Sequence, residues 1–147
     1  MPHVELDALF WRPNWEMAPT DEFRAQVDEV LAGDGWVIDG NYTGRLGHAV
    51  LERADVVVWL DMPLRTILPR LLRRTLRRIA SNEPLWGTNR ETFRGAFLSR
   101  DSLFLWALKS RRKWRTAHER LTQYNVVRLR SPREANVWLR RYVNVRM

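Results

Sequence analysis

Three aspartates, Asp7, Asp39 and Asp61, each follow a short β-type run, at residues 3–6, 36–38 and 55–60. In an open parallel sheet, ligands bind outside the carboxyl ends of the strands. Carboxylates there can bind magnesium, orient an acceptor hydroxyl or act as a base. One aspartate in such a place is more readily a turn or helix-cap residue; three in the same topological position are harder to explain that way. Asp39 opens the segment Asp39-Gly40-Asn41-Tyr42, and Tyr42, Trp11 and Trp15 offer rings that could stack on a base, although such rings more often fill a core. Arg70 and Arg74 stand one helical turn apart, able to clamp a polyphosphate or to form a solvated face. The run Arg111-Arg112-Lys113-Trp114-Arg115 has the basic and aromatic mixture of single-strand binders, although such a run more often makes a solvated helix face. His3, His48 and His118 have no metal-ligand spacing, and no serine–histidine arrangement stands out.

Positioning these residues requires alternating strands and helices, the pattern of an α/β protein with a mainly parallel sheet. After the first run, Thr20 can cap a helix with Asp21 and Glu22 in its first turn, stopped at Gly33. A short polar helix is predicted over 44–53. Residues 55–60 are apolar on both faces, which predicts a strand buried between helices. Residues 64–79 read as an amphipathic helix. Leu64, Ile67, Leu68, Leu71, Leu72, Leu76 and Ile79 fall on one side and arginines on the other, with Pro69 predicting a kink or a late start. Residues 81–87 read as a loop, and Thr88-Asn89-Arg90-Glu91 as a capping box opening further helix to about 121. A last strand is predicted at 125–129. Ser131-Pro132-Arg133-Glu134 then combines a capping box with proline at the first helical position.

The chain has 147 residues, 45% hydrophobic and 29% charged, as expected for one globular domain with a real core. Lys+Arg number 25 and Asp+Glu 17, a formal charge of +8 that favours anionic partners. Only Lys109 and Lys113 are lysines, as an arginine-rich genome or a preference for planar phosphate forks would each produce. With no cysteine there can be no disulfide framework, thiolate zinc or cysteine nucleophile. The longest apolar runs, 56–60 and 103–108, fall well short of the roughly 18 residues a membrane helix needs. Residues 1–7 have no basic start leading into an apolar stretch. The expectation is a soluble, cytoplasmic protein without a membrane partner.

Taken together, residues 3–11 with Pro13 and Trp15, the segment Trp36-Val37-Ile38-Asp39-Gly40-Asn41-Tyr42, Leu60-Asp61-Met62-Pro63 and the Arg70/Arg74 pair resemble a family. It is that of the adenylate-kinase-related P-loop proteins labelled topology modulation proteins, and the likeness runs from Pro2 to about Arg141. The Asp-x-Pro element, with arginines seven and eleven residues after the proline, is also similar to nucleoside monophosphate kinases. The resemblance implies a three-layer parallel sheet of the P-loop nucleoside-kinase type. It also implies a helical, arginine-rich, lid-like region over about 64–121 within a single domain, 1–147. It implies ATP and Mg²⁺, with a nucleotide or small molecule as phosphoryl acceptor. Asp7 would be the base or hydroxyl orienter, Asp39, Gly40, Asn41 and Tyr42 would line the acceptor pocket, and Arg70 and Arg74 would hold ATP phosphates.

The chain departs from that family in one large respect. Family members open with a strand, a Gly-x-x-x-x-Gly-Lys-Ser/Thr loop and a helix, and this sequence contains no such loop. The loop supplies the backbone cradle for phosphates, a phosphate lysine and a magnesium hydroxyl, so the sequence predicts a very poor kinase. In the resembled fold the missing strand lies mid-sheet, between the strands ending at Asp39 and Asp61. Its neighbours must close up or another segment must fill the gap, unless the written sequence begins late, which is the expectation favoured by the family-interior position of Met1. The other reading, from a different class, is a non-catalytic basic protein that binds nucleic acid and affects DNA topology.

Overall fold

Parallel pairing of short strands organises the chain in the computed structural model, which describes residues 1–98, 105, 109 and 121–145. β1 (His3–Glu5) leads straight into α1 (Leu6–Phe10), and β2 (Trp11–Arg12) and β3 (Glu16–Met17) form a hairpin around a 3-10 turn, Pro13–Trp15. Next come α2 (Thr20–Leu31), β4 (Val37–Asp39), α3 (Thr43–Leu46), α4 (Ala49–Arg53), β5 (Val57–Leu60) and α5 (Leu64–Ser81). β6 (Pro84–Leu85) and β7 (Asn89–Arg90) make a second hairpin, followed by one π-helical segment, Arg94–Leu98; β8 (Val126–Leu129) and α6 (Pro132–Val145) close the described chain.

The fold is mixed α/β. Among the described residues every sheet has two strands: β1–β4 and β5–β8 parallel, β2–β3 and β6–β7 antiparallel. Register sets Glu5 beside Asp39 in the first parallel pair and Leu60 beside Leu129 in the second. Each parallel pair therefore has two short edges, one on each strand, without a strand partner among the described residues. No helix among them is long and apolar enough to cross a membrane.

Contacts divide the chain into two compact units: residues 1–54 with 79–91, and residues 55–78 with the described residues from 92 onward. The core of the first unit is Leu6, Phe10, Ala18, Phe23, Val27, Leu31 and Leu46, with Ile38, Tyr42 and Val50 packed against it. α2 supplies Phe23, Val27 and Leu31 at helical spacing, so one stripe of that helix carries its whole buried contribution. Phe23 is fully buried, worth roughly 1.5–3 kcal/mol of transfer free energy. Its ring meets Phe10 and Tyr42 edge-on at 5.3 and 5.1 Å.

Several local expectations are revised. Thr20 does not cap α2: Pro19 is the N-cap, and the Thr20 hydroxyl instead accepts a hydrogen bond from Arg45 Nη1 at 3.0 Å. The helix predicted over 44–53 is two short helices, because Gly47 takes φ +62° and breaks the run between them. Asn89 does not sit in a capping box. Its side chain, 2% exposed, is spent inside the first unit, donating to the Arg12 carbonyl and accepting from the Trp15 amide, so β7 replaces the predicted helix start. α5 starts on time at Leu64, with Pro63 O accepting from the Thr66 and Ile67 amides, and continues through Pro69. β5 is not buried on both faces: Val58 is 38% and Leu60 59% exposed. The C-terminal helix conforms. Ser131 Oγ accepts from the Glu134 amide at 3.2 Å, and Glu134 Oε2 accepts from the Arg130 amide at 2.8 Å.

Candidate functional site

At the carboxyl end of the β1–β4 pair, chain geometry brings two of the predicted site residues into contact. β1 turns into α1 without a loop, so Asp7 falls in the first helical turn rather than at a strand end, and its neighbours Leu6 and Phe10 are driven into the core. β4 ends at Asp39, and the backbone doubles back at Gly40 with φ +126°. A Cβ at position 40 would stand 2.9 Å from Leu6 Cβ, so only glycine allows the two segments to approach this closely. The return carries Tyr42 onto Phe10 (4.8 Å between rings) and Phe23. From there its hydroxyl donates to Asp7 Oδ1 at 2.5 Å. Burial first, then the hydrogen bond and negative charge of Asp7, push the Tyr42 phenol well above its ordinary value. The nearby Arg45 guanidinium works the other way, sitting 4.8 Å over the Phe10 ring. Tyr42 is therefore a firm donor, and it leaves Asp7 with one carboxylate oxygen uncommitted to it.

The other residues of the predicted acceptor pocket sit at the same strand end. Asp39 and Asn41 are exposed, and Asp39 lies beside Glu5 in register. Glu5 Oε2 accepts from the Trp86 indole at 3.0 Å. Asp61, in the second unit, is taken up by Arg128, whose Nε and Nη2 donate to Asp61 Oδ2 at 2.9 and 2.5 Å. The same guanidinium lies 4.4 Å over the Trp59 ring, so Asp61 serves to hold an arginine over an indole. Arg70 and Arg74 are exposed one turn apart on α5, with no ion pair among the described residues. The basic run 111–115 lies outside the described residues.

Sequence reasoning passed over Arg45, Trp86, Asn89 and Arg128. Trp15 and Trp86 face each other edge-on at 5.9 Å, and both hold positive φ, 59° and 41°, a conformation costing bulky residues about 1–3 kcal/mol each. Asn89 clamps the Trp15 side of this pair. Only the Trp and Asn residue types could have signalled the clamp, and the pattern around Asn89 reads more simply as a cap.

ATP and Mg²⁺, implied by the resemblance, fit these residues unequally. The Arg70/Arg74 forks, with no ion pair among the described residues, suit phosphate oxygens. A divalent cation finds no group of three His, Cys, Asp or Glu among the described residues, and the Asp61 carboxylate is committed to Arg128. Compared with known protein families, curated proteins and solved structures, the chain matches none.

Proposed function

We propose that this chain is a phosphotransferase-like protein of the adenylate-kinase-related type, weak or inactive as an ATP-dependent kinase. The single observation carrying the reading is the Tyr42–Asp7 hydrogen bond at the end of a parallel strand pair. Asp7 accepts the proton of an acceptor hydroxyl on the oxygen that Tyr42 leaves uncommitted. Tyr42 fixes the orientation of that carboxylate, while Asp39, Gly40 and Asn41 line the acceptor side. Arg70 and Arg74 hold phosphate oxygens of the donor, and catalysis rests on positioning and charge stabilisation. Parallel pairing of β1 with β4 and of β5 with β8 supports the finer fold reading, a three-layer sheet of the P-loop nucleoside-kinase type. Cytoplasmic location fits the same reading. Within these 147 residues phosphate binding is assigned to the Arg70/Arg74 pair. No step is assigned to Mg²⁺.

The test is equilibrium binding of radiolabelled ATP, followed by a search for labelled product among nucleosides, nucleotides and small sugars. Expected is weak ATP binding that Arg70→Gln/Arg74→Gln removes and Asp7→Asn leaves intact, with any phosphoryl transfer lost in Asp7→Asn. Absence of ATP binding even at millimolar nucleotide would overturn the reading.

A further inference from the structure

The second unit carries an arginine-lined groove that the phosphotransferase reading does not use. It runs along α6 from the end of β8 as two adjoining hollows of about 460 and 440 Å³, which share Arg133 and Val137. Arg128, Arg133 and Arg141 line the first with Trp138, and Arg133 and Arg140 line the second. Arg128 is already committed to Asp61. Arg133, Arg140 and Arg141 have no carboxylate partner among the described residues. The one acid in the lining, Glu134, is occupied by the Arg130 amide and the Ser131 hydroxyl at 2.8 and 3.2 Å. Among the described residues, three guanidiniums without a carboxylate partner thus line the groove against the single charge of Glu134, an excess of positive charge that attracts an anion.

The groove also gives that anion a shape. Arg133 and Arg140 are seven residues apart on a helix rising 1.5 Å per residue, so their anchor points differ by about 10 Å along the axis. That span suits successive phosphates of a chain better than one phosphate group. Trp138 adds a flat ring at the groove, stacked on Tyr142 at 4.8 Å and 23°. A base can stack there only if it is free of a duplex. We propose that this groove binds single-stranded nucleic acid, with Arg133, Arg140 and Arg141 on the phosphates and the Trp138–Tyr142 pair as the stacking platform. The proposal is independent of any phosphoryl transfer, and it places nucleic-acid contact on α6.

The test is fluorescence anisotropy of the full chain with a labelled single strand of about 12 nucleotides, its duplex, and vesicles of phosphatidylglycerol and phosphatidylcholine. Three phosphate contacts predict a slope of log affinity against log salt near −2, a loss of about 20-fold between about 0.05 and 0.2 M salt. Arg133→Gln/Arg140→Gln/Arg141→Gln should bring the slope close to that of a non-binder. Arg53→Gln/Arg65→Gln/Arg73→Gln, which removes the same charge from exposed sites elsewhere, should retain most of the affinity. Trp138→Leu should weaken the single strand at least severalfold, and a melting curve for each variant confirms that it folds. Equal binding of duplex, binding of vesicles alone, or equal loss in the two triple variants would each overturn the proposal. So would an undiminished affinity in the α6 variant with loss on neutralising Arg111, Arg112, Lys113 and Arg115.

Discussion

At the scale of single residues, the Tyr42–Asp7 contact has consequences that separate a structural bond from an accidental one. A hydrogen bond to a charged group contributes about 1.5–3 kcal/mol when well buried. Tyr42 is only half-buried, so Tyr42→Phe should destabilise the chain by about 1 kcal/mol, read from urea midpoints at neutral pH. The pH dependence carries a definite sign. The folded phenol holds its proton more tightly than the unfolded one, so near pH 10 the unfolded chain ionises first and stability falls as pH rises further. Below that range the contribution is fully present. Tyr42→Phe should flatten this alkaline decline, read from urea midpoints taken on either side of about pH 10. If wild type and variant decline in parallel above pH 10, the phenol does not give its proton to Asp7 in solution. Both residues stood out in the sequence, Asp7 directly after the first β-type run and Tyr42 in the Asp39-Gly40-Asn41-Tyr42 segment that follows the second. Their contact was not legible there, since it depends on the positive φ of Gly40 and on Phe10 and Phe23 as a floor beneath the ring.

At the scale of elements, α5 shows what periodicity can and cannot give. The apolar side read from the sequence included Leu72 and Leu76, yet both are exposed and the fully buried position is Thr75. Spacing explains the difference: Thr75 continues the line of Leu64, Leu68 and Leu71, and Leu72 and Leu76 are each one residue, about 100° of rotation, further round. The pattern located the helix and its general inner side, but a polar residue inside the stripe was invisible to a count of apolar positions. Thr75 Oγ1 has no hydrogen-bond partner among the described residues, and a buried unsatisfied hydroxyl is a net liability. Thr75→Val, close to isosteric and without the hydroxyl, should therefore raise the melting temperature or leave it unchanged. Thr75→Ala should destabilise the chain through the cavity it opens, by roughly 1 kcal/mol, and lower the melting temperature accordingly. A marked loss with valine would mean that the hydroxyl is bonded in solution. The hairpin around Asn89 was missed for a related reason. Two-residue strands carry too few positions for alternation to register, and the cap pattern is locally self-consistent. The last strand and the capped C-terminal helix were legible because Ser131 and Glu134 make their bonds locally, needing nothing from the rest of the chain.

For the molecule as a whole, charge and exposed apolar surface act against each other. β5 presents Val58 and Leu60 to solvent, and α6 presents Val137 and Leu139; side chains of this kind favour association when they form a patch. A formal charge of +8 opposes self-contact through repulsion, and that repulsion is screened by salt. The balance should therefore tip with ionic strength. Sedimentation at about 0.02 M salt should give the mass of the single chain, 17.5 kDa. Near 1 M, where the Debye length is about 3 Å, the average mass should rise. Val58→Thr/Leu60→Thr keeps strand propensity while removing apolar surface, so it should hold the single-chain mass at both salts. Its melting temperature should barely move, because substitutions at exposed positions change stability by no more than about 0.5 kcal/mol. A large loss of stability in that variant would show that the two side chains are buried in solution. The sequence reading of 55–60 as a strand covered on both faces would then be the better description of β5. If the variant is stable and the wild type still associates only at high salt, the uncovered face of β5 is a real surface. The parallel pair β5–β8 then stands in solution with one apolar side open.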